Sequence, residues 1–198
     1  SDVVDGGDGN DTLNYETGQT AAVSINMGTG TVVWWNGSAW VGSETFSNIE
    51  NVTGTNNATV GDILQGDAGD NHLRGLQGND TLAGEDGDDI LEGGVGVDTL
   101  LGGNGDDILH PGSSSDVVDG GEGNDTLDYA TGQSSAISVD MDAGTIVWWN
   151  GSTWVGSETF SNIENVTGTK NASIGDILQG DAANNILSGL QGGDTLIG

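Results

Sequence analysis

Through the middle of the chain one large aliphatic residue returns every nine positions. From Gly66 the sequence reads GDAGDNHLR, GLQGNDTLA, GEDGDDILE, GGVGVDTLL, GGNGDDILH, PGSSSDVVD and GGEGNDTLD, and a degenerate unit in the same phase, NATVGDILQ, precedes them. The aliphatic stands at position 8 of each unit: Leu64, Leu73, Leu82, Leu91, Leu100, Leu109, Val118 and Leu127. One inward residue between two outward neighbours is the alternation of a very short strand. The six residues before it carry glycine at positions 1 and 4 and often at 2, which permits positive φ and close approach of backbones. The pattern predicts three-residue strands separated by six-residue turns.

The phase breaks twice, over residues 15–56 and 129–170. In the first break AAVSINM (21–27) alternates, with Val23, Ile25 and Met27 on one face, and TVVWW (31–35) is followed by Asn36-Gly37 and SAWVG. Asn-Gly between apolar runs predicts a β-hairpin. A two-residue turn there sets Trp35 opposite Ser38 and Val33 opposite Trp40, with Trp34 on the other face. FSNIENVTGT (46–55) then leads back to the nonapeptides. All six tryptophans, Trp34, Trp35, Trp40, Trp148, Trp149 and Trp154, fall in these inserts. They are expected to cover the flank of the repeat stack and seal its narrow core. They also offer a contact surface, for which lateral association of copies and glycan stacking both fit.

A longer period encloses the short one. Residues 2–84 align without gaps on 116–198, with 62 of 83 positions identical. The chain therefore divides into the end of one repeat run (1–14), an insert (15–56), a central run of eight nonapeptides (57–128), a second insert (129–170) and the start of a further run (171–198). SDVVD at 1–5 recurs at 115–119, and Gly198 corresponds to Gly84. Both ends cut through repeats, so the chain reads as a window on a longer array.

Charge sharpens the picture. Among 198 residues there are 31 acidic and 2 basic side chains, a formal charge of −29. A fold with this much charge of one sign repels itself unless cations neutralise it. Nucleic acid and anionic membranes are poor partners, and a cationic ligand is the natural one. The chain has no cysteine to staple it, and no apolar run of the length that spans a bilayer.

The acidic residues are placed, not scattered. Position 6 is occupied by Asp62, Asp80, Asp89, Asp98, Asp107, Asp116 and Asp125. Asp11, Asp176 and Asp194 hold the same place in the partial runs, and Asn71 and Asn185 keep an oxygen there without the charge. A lone Asp in a glycine turn reads as an Asx turn. An in-phase ladder of them reads as metal ligation. Glycine turns expose carbonyls, and Asp adds a short charged oxygen. That donor set suits Ca²⁺, a hard ion taking six to eight oxygens in flexible geometry. No His/Cys cluster suggests a softer metal.

GGVGVDTLL (93–101) and GGNGDDILH (102–110) fit the pattern GGxGxDxUx, with U a large aliphatic, at every defined position. The run resembles the RTX family, the hemolysin-type calcium-binding repeats. The in-phase resemblance covers about half the chain. It implies an all-β parallel β-roll, a right-handed coil with two nonapeptides per turn, into which the hairpins are inserted. It further implies several Ca²⁺ ions, each between stacked turns. The ligands would be position-6 carboxylates and turn carbonyls, among them those of Gly75, Gly84, Gly93, Gly102 and Gly120. Asp80 would then pair with Asp98, Asp89 with Asp107, Asp98 with Asp116, and Asp107 with Asp125. Asn71 and Asn185 are the weaker candidates.

No HExxH, GxSxG or phosphate-loop motif is present, and His72 is replaced by Ile186 in the second copy. The chain is not expected to be an enzyme. It is expected to be disordered without calcium. The resemblance implies type I secretion and an extracellular or cell-surface place, in which the chain is a scaffold of a large RTX protein, an adhesin stalk or an extracellular filament or matrix component. The alternative is an accessory C-terminal module of a secreted protease, lipase or alginate epimerase. The exposed edge of the last coil also allows self-association into filaments or layers.

Overall fold

The computed structural model describes residues 2–17, 21–131 and 133–198; Ser1 and the insert residues 18–20 and 132 lie outside the described residues. Among the described residues every regular element is a strand, and no helix is long and apolar enough to cross a membrane. The first coil holds β1 (Val3–Asp5) and β2 (Thr12–Asn14). The first insert supplies β3 (Val23–Asn26), β4 (Thr31–Trp35), β5 (Trp40–Ser47) and β6 (Asn51–Thr53). The central run follows with β7 (Ile63–Gln65), β8 (His72–Gln77), β9 (Thr81–Asp86), β10 (Ile90–Val95), β11 (Thr99–Asn104), β12 (Ile108–Ser113), β13 (Val117–Glu122) and β14 (Thr126–Asp128). The second insert gives β15 (Ile137–Asp140), β16 (Thr145–Trp149), β17 (Trp154–Ser161) and β18 (Asn165–Thr167). After it come β19 (Ile177–Gln179), β20 (Ile186–Ser188) and β21 (Thr195–Ile197).

These strands build two sheets. The long one runs β1-β5-β4-β3-β7-β9-β11-β13-β17-β16-β15-β19-β21, and the short one β2-β6-β8-β10-β12-β14-β18-β20. Within the central run neighbours are parallel and 18 residues apart, so that Leu91 lies beside Leu73 and Leu109, and Leu100 beside Leu82 and Val118. Two nonapeptides thus make one coil, and the chain is a parallel β-roll. Its core is two ladders of position-8 side chains. Leu64, Leu82, Leu100 and Val118 stack on the long sheet, and Leu73, Leu91, Leu109 and Leu127 on the short one, none more than 1% exposed. Each such side chain contributes roughly 1.5–3 kcal/mol by leaving water.

Strands in the middle of the run are six residues long, not three. Positions 1–3 of the following unit continue the ladder, with Gly94 paired to Leu76 and Gly112. Period two simply runs on: position 8 and the next position 1 are both buried, with position 9 between them. Because the inward residue at position 1 is glycine, it leaves no hydrophobic mark in the sequence. Only positions 4–6 turn.

The inserts seal the core as part of its wall, not as a cover. In the coil that β6 completes, the long sheet carries an antiparallel meander, β3–β4–β5, where other coils carry one strand. β5 pairs parallel with β1, placing Phe46 beside Val4, and β3 pairs parallel with β7, placing Ile25 beside Leu64. Val23, Ile25, Met27, Val32 and Phe46 all join the core. The second insert repeats this with β15–β17.

The expected two-residue hairpin turn is not formed. Trp35 lies opposite Trp40, and Trp34 opposite Val41, across a loop of residues 36–39. The cause is the Asn36 side chain, whose Oδ1 accepts from Ser38 N–H, Ala39 N–H and the Ser38 hydroxyl, each at 3.0 Å. This local capping outweighs the tighter turn. Trp35 and Trp40 meet edge to face at 5.5 Å, as do Trp149 and Trp154. Trp34 and Trp148 lie on the opposite face of the meander and pack on the core.

Candidate metal centre

Each coil turns twice. Turns from the short sheet to the long one form a first edge and carry Asp62, Asp80, Asp98 and Asp116. Turns in the other direction form a second edge and carry Asn71, Asp89, Asp107 and Asp125. All eight residues are buried. Glycine at position 4 eases the turn: Gly78, Gly87, Gly96, Gly105 and Gly123 have φ between 114° and 151°, a region that other residues rarely adopt, although Ser114 takes it at 120° in its unit.

Position 6 forms a hydrogen-bonded ladder along both edges. On the first, Asp62 N–H donates to Asp80 Oδ1 at 2.6 Å, Asp80 N–H to Asp98 Oδ1 and Asp98 N–H to Asp116 Oδ1, both at 2.8 Å. On the second, Asn71 N–H donates to Asp89 Oδ1 at 2.7 Å, then Asp89 to Asp107 and Asp107 to Asp125 at 2.8 Å. The four expected pairs are therefore neighbours one coil apart.

One oxygen of each carboxylate is left over. Oδ2 of Asp80, Asp89, Asp98, Asp107, Asp116 and Asp125 is buried without a hydrogen-bond partner, and so is Oδ2 of Asp11. A buried ionised carboxylate is costly unless its charge is balanced. Burial accordingly drives these acids up, to about 7 for Asp80, Asp89 and Asp116 and about 6 for Asp98 and Asp107, against the pull of the backbone N–H donors. Neighbouring aspartates add to the rise at Asp80, Asp89, Asp107 and Asp116.

At every orphan but Asp116, whose unit opens with Pro111, a position-1 glycine keeps the space beside it open. A methyl on Gly93 would meet both Asp98 Oδ2 and the Pro111 carbonyl oxygen at 2.6 Å. A methyl on Gly75 would strike Asp80 Oδ2 and the Gly93 carbonyl. The carbonyls of Gly75, Gly84, Gly93, Gly102 and Gly120 recur in this way, each against the position-1 glycine one coil back, at Gly54, Gly66, Gly75, Gly84 and Gly102. Orphaned carboxylate and carbonyl oxygens thus face one space. Among the described residues no group of three or more His, Cys, Asp or Glu side chains converges. An ion held here would draw on backbone carbonyls beside a carboxylate, and this oxygen-only set fits Ca²⁺.

Other expected ligands are placed differently. Asp62 accepts Thr55 N–H on Oδ2 at 2.5 Å and Val23 N–H on Oδ1 at 2.7 Å. Asp176 likewise accepts Thr169 N–H at 2.6 Å and Ile137 N–H at 2.9 Å. Both therefore have each oxygen engaged by the insert that precedes them. Asp194 accepts from Asp176 N–H at 2.9 Å. Asn71 and Asn185 close their own turns, accepting from Asp67 N–H at 2.8 Å and Asp181 N–H at 2.9 Å.

Two features escaped sequence reasoning. A second ladder runs along the second edge at position 5, where Asp88 N–H donates to Asp70, Asp106 N–H to Asp88 and Asn124 N–H to Asp106. The first edge has Gly61, Asn79, Val97 and Ser115 there, so exposed negative charge concentrates on one side of the roll. Reading alternate units together would have found it. The other is a buried pair in the insert, where the Tyr129 hydroxyl donates to Glu158. Burial pushes Glu158 up to about 8, and Asp116 adds to the rise. Alternation along β17 does put Glu158 on the face of Phe160.

Comparison with known proteins bears on this geometry. A search of curated proteins finds none that matches the chain. The family model of the RTX calcium-binding nonapeptide repeat matches in four copies, over residues 1–19, 61–91, 92–127 and 174–198, together more than half of the chain. With an 18-residue coil, carboxylates stacked from coil to coil and glycine-guarded oxygens between them, the chain belongs to the RTX calcium-binding repeat family.

Proposed function

We propose that the chain is a calcium-folded scaffold segment of a large secreted or cell-surface protein, a stalk or filament element and not an enzyme. Its position-6 carboxylates and turn carbonyls would hold calcium between successive coils. The observation that carries this reading is the row of six buried, unpartnered Oδ2 atoms from Asp80 to Asp125. Against them the sequence sets only two basic residues, Lys170 and Arg74, and Arg74 is paired with Glu92. Divalent ions supply the missing charge and the missing contacts together. The 114-residue period, with 62 of 83 aligned positions identical, supports a structural role, because tandem copies of a coil build length.

Calcium that is scarce inside a cell and abundant outside would let such a chain be exported unfolded and order afterwards. Extracellular calcium modules bind at about 10⁻⁴–10⁻³ M, which suits that step. Circular dichroism in EDTA and in millimolar CaCl₂ tests the reading. At pH 8 strand signal should develop only with calcium, and equal strand content in both solutions there would refute it.

A further inference from the structure

The ladder on the second edge does not stop where the nonapeptides stop. After Asp107 N–H has bonded to Asp125, the Asp125 N–H donates to Oε2 of Glu164 at 2.8 Å. Glu164 belongs to the insert, between the matched repeats, which break off at residue 127 and resume at 174. In the parallel register Thr126 faces Asn165, so Glu164 occupies the slot that Asp89, Asp107 and Asp125 fill in the preceding coils of this edge. The first copy repeats the arrangement: Asp11 N–H donates to Glu50 Oε2 at 2.8 Å, and Thr12 faces Asn51.

The rest of the site is present too. Asp125 is wholly buried and its Oδ2 has no partner; Asp11 Oδ2 is likewise buried and unpartnered. A methyl on Gly120 would lie 2.6 Å from Asp125 Oδ2 and would collide with the carbonyl oxygen of Asn162. Within the roll the matching atoms around Gly102 are Asp107 Oδ2 and the Gly120 carbonyl. Asn162 therefore stands in for the position-1 glycine. It sits in the left-handed region with φ of 51°, where Asn is tolerated. Its side-chain amide donates to Asp119 Oδ1 at 2.7 Å, which fixes it. Asn48 does the same in the first copy, with φ of 53° and a 2.7 Å bond to Asp5.

We propose that Asp125 with Glu164, and Asp11 with Glu50, each form a calcium site at the seam between roll and insert, completed by the carbonyls of Asn162 and Asn48. The insert is then tied to the roll by the same ion that ties coil to coil. This inference rests on calcium being held by the position-6 ladder, and the test separates the two.

Calcium bound to the full chain is counted by isothermal titration and native mass spectrometry for the wild type, Glu50→Gln/Glu164→Gln and Asp98→Asn. Glutamine keeps the acceptor for the Asp11 and Asp125 N–H groups, so only charge is removed. The double variant should bind one ion fewer for each glutamate replaced and keep its calcium-induced strand signal. An unchanged count in the double variant, with ions lost from Asp98→Asn, overturns the seam sites alone. An unchanged count in both overturns the ladder reading and the seam with it. If the double variant fails to order, Glu164→Gln alone decides the matter: loss of one ion supports the proposal, and no loss overturns it.

Discussion

The backbone N–H of Asp80 donates to Oδ1 of Asp98 at 2.8 Å, while Oδ2 of both carboxylates is buried and bonded to nothing in the protein. Half of each carboxylate thus serves the coil-to-coil ladder, and the other half faces the space between turns. Replacing Asp98 by Asn keeps the first role and weakens the second. Asp98→Asn should raise the calcium concentration for half-folding by roughly tenfold, about 1.4 kcal/mol, read from a calcium titration followed by circular dichroism.

Acidity should oppose calcium. In an unfolded chain Asp titrates near 3.9, whereas burial holds Asp80 and Asp116 near 7 and Asp98 near 6 in the metal-free fold. Between about pH 4 and 7 the metal-free fold therefore binds more protons than the unfolded chain. The stability those protons contribute is present at low pH and lost as pH rises through 7. In EDTA, strand signal should be greater at pH 4.5 than at pH 8. Calcium must displace the same protons, so its apparent affinity should fall from pH 8 to pH 5.5, with proton release visible by calorimetry in buffers of different ionisation enthalpy.

The glycine at position 1 should resist even a methyl. At Gly93 the added carbon would lie 2.6 Å from two oxygens, well inside van der Waals contact. Gly93→Ala should cost about 1–3 kcal/mol and weaken calcium binding, as measured by denaturation at fixed free calcium. At Gly28, on the β3–β4 turn, φ lies outside the left-handed region and the nearest atom is 3.6 Å away; Gly28→Ala should change neither property.

Tyr129 and Tyr15 offer a matched comparison. Tyr129 and Glu158 are fully buried, while Tyr15 and Glu44, bonded at 3.0 Å, are half-exposed. Removing a hydroxyl from a buried pair leaves a carboxyl without its donor, at about 1–3 kcal/mol. Tyr129→Phe should therefore destabilise the chain clearly more than Tyr15→Phe, measured by thermal denaturation in saturating calcium.

How far the sequence reveals this molecule depends on which residues carry a side-chain signal. The position-8 aliphatics and position-6 aspartates recur at fixed spacing, so the core ladders and the Asp80–Asp98 and Asp89–Asp107 neighbours were readable. Strand length was not, because the inward residue that doubles it is glycine. The Trp35–Trp40 register was hidden by the Asn36 side chain, which can cap a longer loop as readily as begin a short turn. The unit around Asp62 lacks the glycines at positions 1 and 4 that Asp80's unit has, but that does not show where its oxygens go. Only the returning insert, which brings the Thr55 and Val23 N–H groups to Asp62, engages both of its oxygens. Glu164 lay in a stretch with no nonapeptide pattern, and its place in the ladder emerges only from the parallel register of β14 and β18.

Three strands of the long sheet share a coil with one strand of the short sheet wherever an insert occurs. At about 4.8 Å per strand, one wall is lengthened by about 10 Å that the other must accommodate, by bowing of the meander or by turning of the axis. The two meander hairpins lie seven strand steps apart along the long sheet, about 34 Å. An array of such units would display paired indoles at a regular pitch along one flank, like teeth on a rack, and any binder spanning several units would have to match that interval.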